Sequence, residues 1–153
     1  METLMSLDDI RADFALLDDW EDRYRYVIEL GRALPPLPEE FRTDANKVRG
    51  CASQVWLATR RTSTNGDAKH DCLEMHGASD AHIVQGLIAV LFALYEGKTL
   101  AEIRDADAEG VFADLGLREH LTQQRSNGLA SMVQRIRTDA AAMLSDTVRP
   151  DPS

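Results

Sequence analysis

Apolar residues recur at intervals of three and four over most of the chain, and this period predicts amphipathic helices. Residues typical of helix ends bound them, such as a Ser6–Asp9 capping pair at the first helix and Pro35–Pro38 after the second. One helix is apolar on nearly every side and is therefore predicted to be central and buried. The predicted helices are an N-terminal helix after Ser6, Trp20–Leu34, the central helix from Ser79-Asp80 to Gly97, Thr99–Ile103, Glu109–Leu115 and a long C-terminal helix capped by Ser126.

The middle of the chain has a different pattern, typical of short strands. Val55–Thr59 is apolar and partly β-branched, Thr64–Asp67 is a turn signal, and His70–His76 follows as a second strand. Together they predict an antiparallel hairpin. Asn46–Arg49 is a candidate for another short strand before it. The predicted fold class is therefore α+β, with a small antiparallel sheet of about three strands packed against several helices.

Length, charge and the terminal segments narrow the class of protein. The 153 residues are enough for one domain, predicted over residues 1–147 with a disordered tail at 148–153. The net charge of −9 opposes binding to nucleic acid or to anionic membranes. The N-terminus lacks the pattern of a signal peptide, and the longest apolar run, 87–95, is about half of what a bilayer requires. We therefore expect a cytoplasmic protein.

Two cysteines are the candidates for chemistry. Cys51 follows Gly50 at the entrance to a predicted strand, where it is either a reactive thiol at a loop tip or a small side chain packed under the loop. The sequence pattern alone leaves both interpretations open. Cys72 falls in the middle of a predicted strand, which favours a place in the core or on the sheet face.

The sequence contains little that indicates a cofactor or metal site. A metal site formed by His70, Cys72 and His76, which share one face of the predicted strand, is disfavoured because no supporting ligands are evident. The cysteines do not have structural-zinc spacing, and the serine-hydrolase, dinucleotide and P-loop motifs are missing from the sequence. We expect neither a metal nor a cofactor.

Four separated segments resemble a known family. In this order they match SufE, the sulfur-acceptor partner of a cysteine desulfurase in iron–sulfur cluster assembly, and the match spans about Leu7 to Leu144. The second segment contains the pattern GCxSxVW. The segments are Tyr26–Gly31 with Leu34-Pro35, Val48–Trp56, Ser79–Ile88, and His120–Thr122 with Arg125–Leu129.

The resemblance implies a specific role for Cys51. It falls on the family's acceptor cysteine, which takes sulfur from the persulfide of a pyridoxal-phosphate-dependent desulfurase of the SufS type, stimulates that enzyme, and passes sulfur to the cluster scaffold. The protein itself is then no enzyme. Gly50 and Ser53 would support the mobile loop, and Asp80 and Arg125 would contact the partner. The family fold is similar to that of the IscU-type scaffold.

Several alternatives stay open beside this one. The SufE paralogue that serves another desulfurase shares these motifs, and both a monomer and a homodimer are compatible with them. Asp80 has a second interpretation as the N-cap or a first-turn acid of the central helix, and Arg125 as the partner of an exposed carboxylate. Rival functions are a thiol peroxidase or redox sensor in which Cys72 resolves an oxidised Cys51, and an adaptor with an inert Cys51. Ala78 departs from the acidic residue common in the family, which affects only details of the interface.

Overall fold

The computed structural model describes residues 6–50, 53–62 and 71–148, with side chains up to residue 145. Cys51, the predicted turn at Thr64–Asp67, His70 and residues 149–153 of the predicted tail lie outside the described residues. The described part is α+β, as predicted. Its elements are α1 (Leu7–Leu16), α2 (Trp20–Arg32), β1 (Val55–Thr62), β2 (Cys72–Ser79), α3 (His82–Tyr95), α4 (Leu100–Asp105), α5 (Ala108–Asp114) and α6 (Gln123–Val148).

The sheet has two strands in the described part of the chain, and the expectation of about three is wrong. β1 and β2 pair antiparallel, with Leu57 opposite Gly77. The segment predicted as a third strand forms only an isolated bridge between Lys47 and Trp56, beside a hydrogen bond from the Val48 amide to the Val55 carbonyl at 2.8 Å. The reason is local: a 3₁₀ turn ends at Asn46, and the left-handed backbone of Gly50 turns the chain soon afterwards.

The central helix is α3, and it is buried along its length as the sequence predicted. Leu87, Ile88, Val90 and Leu91 are fully buried. α3 packs against α2 on one side and against the sheet on another, and α6 closes the core with Met132, Ile136 and Ala140. None of the described helices is both long and apolar enough to cross a bilayer.

Helix starts agree with the sequence in some places and not in others. Ser6 caps α1 by accepting the Asp9 amide at 3.1 Å, as predicted, and Thr99 caps α4 in a complete capping box. Ser126 is not the cap of the last helix. α6 begins one turn earlier, and the hydroxyl of Thr122 accepts the Arg125 amide at 3.2 Å. Thr122 is itself a preferred capping residue, so the signal was present but assigned to the wrong position.

Candidate functional site

The residues on either side of Cys51 are held against different helices. Gly50 precedes it with a φ of 90°, a conformation that residues with a Cβ rarely adopt. A Cβ added to Gly50 would lie 2.7 Å from the hydroxyl of Ser131 on α6, so any other residue here would also displace that side chain. The structure thus places Gly50 beside Ser131 in the first half of α6.

Ser53, which follows Cys51 by two residues, lines a cavity of about 350 Å³. The cavity lies between α3 and the first turns of α6. Its wall is largely apolar, and Arg125 is the one ionisable side chain among the described residues that form it. The other lining residues are Ala81, Val84, Leu87, Thr122, Gln124, Gly128, Leu129 and Met132.

Arg125 brings a positive charge to this cavity. It lies in the first turn of α6, is half-buried, and donates a hydrogen bond from Nη1 to the hydroxyl of Tyr24 at 3.0 Å. No carboxylate of the described residues forms an ion pair with it, so the interpretation of Arg125 as the partner of an exposed acid does not apply in this part of the chain.

The start of α6 adds to the positive potential. Its first residues, together with Thr122 before them, reach the cavity wall. The N-terminus of a long helix carries a partial positive charge from the aligned peptide dipoles and from amide groups without helical acceptors. The charge of Arg125 and the helix dipole therefore act on the same space.

Asp80 ties the segment after Cys51 to the start of α3. Its Oδ1 accepts the Gln54 amide at 3.0 Å, and its own amide donates to the Gln54 carbonyl at 3.3 Å. Asp80 is exposed but is not the cap of α3, because Ala81 occupies that position. The first turn of α3 contains no acidic residue either, so the interpretation of Asp80 as an N-cap or first-turn acid is wrong. Its predicted contact with a partner remains a prediction.

The remaining candidates lie elsewhere. Cys72 is the half-buried first residue of β2 rather than its middle, and it bridges to Thr99. His76 lies 3.3 Å from a carboxylate oxygen of Glu74 and beside the ring of Phe41. Within the described ranges, no group of three or more histidine, cysteine or acidic side chains is arranged to hold a metal ion.

One residue of the site was missed from sequence. Tyr24 is not among the candidate residues that the sequence suggests, yet its hydroxyl meets Arg125 from a position 101 residues away in the chain. The phenol oxygen was the only available signal, because a half-buried tyrosine usually finds a hydrogen-bond partner. The pattern of one helix does not disclose which partner that is.

Comparison with known proteins decides the family. Residues 8–140 match the family described as "SufE: Fe-S metabolism associated domain". The chain belongs to the SufE family. This confirms the resemblance found in the sequence and places the protein in iron–sulfur metabolism.

Relatives of this SufE-family chain agree with the assignment. It is 55% identical over 141 residues to an uncharacterized SufE-like protein of Rhizobium meliloti (strain 1021), covering 92% of this chain and 99% of that protein. It is 58% identical over 137 residues to an uncharacterized SufE-like protein of Rhizobium etli, covering 90% of each.

A solved structure shares the SufE-family fold seen here. The solution structure of a hypothetical protein from Thermus thermophilus superimposes with a TM-score of 0.67 at 21% identity, over 92% of this chain and 99% of that one. This likeness supports the α+β fold.

Proposed function

We propose that this protein accepts sulfur on Cys51 from the persulfide of a cysteine desulfurase of the SufS type and delivers it to an iron–sulfur scaffold. By clearing the persulfide it stimulates the desulfurase, and it does so in the cytoplasm as a partner without a cofactor of its own. The observation that carries the proposal is the cavity lined by Ser53 and Arg125 next to the acceptor segment.

The transfer is a thiol exchange without net oxidation. The thiolate sulfur of Cys51 attacks the outer sulfur of the donor's Cys–S–SH group and forms a new S–S bond. The donor's own S–S bond breaks, and its cysteine leaves as a thiolate while the proton stays on the transferred sulfur. Because the thiolate is the attacking species, a positive charge near the sulfur increases the fraction of thiol that can attack at neutral pH, and this gain exceeds the loss of nucleophilicity as long as the thiol is mostly protonated.

The cavity supports both the attack by the Cys51 thiolate and the storage of the persulfide that results. The covalent chain limits the Cα–Cα distance between Ser53 and Cys51 to about 7 Å. A sulfur that enters the cavity meets the guanidinium of Arg125 and the positive end of α6, which favour an anion. The remainder of the wall is largely apolar, so a sulfur inside the cavity would be less exposed to water and small thiols than one on the open surface. Gly50 lies close to α6 at one end of the segment that carries Cys51, and Asp80 binds the Gln54 amide at the other end.

Intact-mass measurement tests the proposal. The protein is incubated with a SufS-type desulfurase and L-cysteine, and a gain of about one sulfur atom, roughly 32 Da, that reductant reverses is expected. Cys51→Ser should not gain sulfur, whereas the matched control Cys72→Ser should gain it normally. The proposal fails if the wild type never gains sulfur while the desulfurase turns over.

The same samples separate the rival functions. After treatment with peroxide, a Cys51–Cys72 disulfide that forms faster than the persulfide would favour the redox sensor. An inert adaptor would bind the desulfurase without any change in mass. Desulfurase turnover measured with Cys51→Ser then shows whether stimulation requires sulfur removal or binding alone.

A further inference from the structure

The hydrogen bond between Tyr24 and Arg125 joins α2 to α6 at the edge of the cavity that Ser53 and Arg125 line, which is called the sulfur cavity below. The guanidinium donates to the phenol oxygen at 3.0 Å, and both side chains are half-buried. Arginine has a long side chain with several rotatable bonds, so it loses conformational entropy when the guanidinium is fixed in one position. The phenol provides a fixed acceptor because its ring belongs to a helix that packs on the core.

The hydrogen-bond partner of Arg125 is a neutral phenol, whereas other arginines of the chain are paired with carboxylates. Arg61 is paired with the buried carboxylate of Asp71, and Arg135 lies 3.2 Å from the carboxylate of Asp139. Each of those charges is largely cancelled by its neighbour. A neutral hydroxyl orients Arg125 without cancelling its charge, and a guanidinium has five N–H donors of which the bond to Tyr24 uses one. The remaining charge is therefore available to an anion in the cavity.

We propose that Tyr24 is a positioning residue for sulfur transfer: its hydroxyl holds the Arg125 guanidinium at the cavity wall, where the charge stabilises the thiolate of Cys51 and then its persulfide anion. This inference rests on the proposed function, since it takes Cys51 as the acceptor. Tyr24 itself does not contact the reacting sulfur.

Other charged groups surround this pair. Tyr24 also lines a second cavity of about 400 Å³ together with Glu21, Arg25 and His120, and the His120 ring stacks there on Trp20 with centroids 3.7 Å apart. Asp80 lies beside the sulfur cavity but already accepts the Gln54 amide. These groups are unchanged in the variants below, so their contribution to a pH profile is common to all of them.

The test is the rate at which iodoacetamide alkylates Cys51 between pH 6 and pH 10, in a Cys72→Ser background. Tyr24→Phe removes only the hydroxyl and should slow alkylation at pH 7 by about three- to tenfold, with little change at pH 10 where the thiol is ionised in every variant. Tyr26→Phe is the matched control, because it removes a half-buried hydroxyl from the same helix that bonds to Asp13 instead. It should react like the parent.

A double variant separates positioning from a general structural effect. Arg125→Gln should slow alkylation at pH 7 at least as much as Tyr24→Phe, and Tyr24→Phe/Arg125→Gln should be no slower than Arg125→Gln alone. Arg125→Lys, which keeps the charge but not the planar fork, should fall between the parent and Arg125→Gln. Urea unfolding of each variant checks that it is folded.

Two results overturn the inference. One is a Tyr24→Phe profile that coincides with that of Tyr26→Phe, and the other is a double variant slowed by the product of the two single effects. Should Tyr24→Phe fail to fold, Arg125→Lys and Arg125→Gln decide, and equal profiles for these two and the parent refute the idea. Alkylation needs no desulfurase, so its outcome is independent of whether the parent gains sulfur from the donor.

Discussion

Replacing Gly86 with alanine should separate α2 from α3, because the two helices cross where each has a glycine. A Cβ on Gly86 would lie 2.6 Å from Val27 Cγ1, 2.7 Å from the Val27 carbonyl carbon, and still closer to its oxygen. The reverse contact is also too close for a side chain, since a Cβ on Gly31 would lie 2.6 Å from the Gly86 amide nitrogen. The helices approach this closely only because neither residue has a side chain there.

The structure sets the size of the expected effect. The new methyl group would lie at least about 0.7 Å inside the 3.4 Å at which ordinary contact begins, and two of the three obstructing Val27 atoms are backbone, so a rotamer change of Val27 gives no full relief. Overpacking of this kind costs about 1–3 kcal/mol. Moving α2 away would also open the packing of Val27 and Leu87, which are fully buried. Against this, alanine has a higher helix propensity than glycine, which stabilises α3 by about 1 kcal/mol. The overpacking cost less this gain leaves about 0–2 kcal/mol, and the loosened packing of Val27 and Leu87 adds to it, so we expect a net loss of about 2 kcal/mol.

Urea and thermal unfolding measure this loss. For a domain of this length, 2 kcal/mol corresponds to a Tm lower by about 4–8 °C. Gly97→Ala is a useful control, because Gly97 has a φ of 79° but no atom within 4 Å of an added Cβ. It tests the cost of backbone strain alone, about 1 kcal/mol. A Gly86→Ala protein as stable as the wild type would refute the argument from helix proximity.

Other substitutions test the ion pairs and the loop anchor. Arg61→Met leaves the carboxylate of Asp71, which is 2% exposed, without its cation, and should lower the free energy of unfolding in urea by about 3 kcal/mol. The surface control Arg60→Met should lower it by less than about 1 kcal/mol, and equal losses for the two variants would contradict this reasoning. Asp80→Ala should speed amide hydrogen exchange at Gln54 and cost about 1 kcal/mol, while Asp80→Asn keeps an acceptor and should be close to wild type in both measurements. If Asp80→Asn also takes up sulfur from the desulfurase at the wild-type rate, the charge of Asp80 does not contribute to partner binding.

Local features of the fold followed from the sequence. The Ser6 cap, the end of α2 before the proline run and the buried central helix are all confirmed, because each depends on residues within a few positions of one another. The antiparallel hairpin was predictable for the same reason. The errors occurred where two local signals compete, as with the start of α6, or where a short extended segment needs a neighbour to become a strand, as at Lys47.

The candidate site divides in the same way. Cys51 was identified through a motif that is contiguous in the sequence, and the family assignment confirms that motif's origin but not the cysteine's role. The cavity beside Ser53 is formed by α3 and α6, whose contributing residues are about 40 positions apart, and no periodicity indicates that they enclose a space.

The sequence by itself determined which segments are helical, which class of fold they form and which thiol is the candidate acceptor, since these depend on short-range spacing and on a recognisable motif. Only the tertiary structure decided that Tyr24 meets Arg125, that Gly31 meets Gly86, and that Asp80 anchors the chain at Gln54. Each of these contacts joins residues far apart in the chain, so it depends on how the helices pack rather than on the local pattern of either partner.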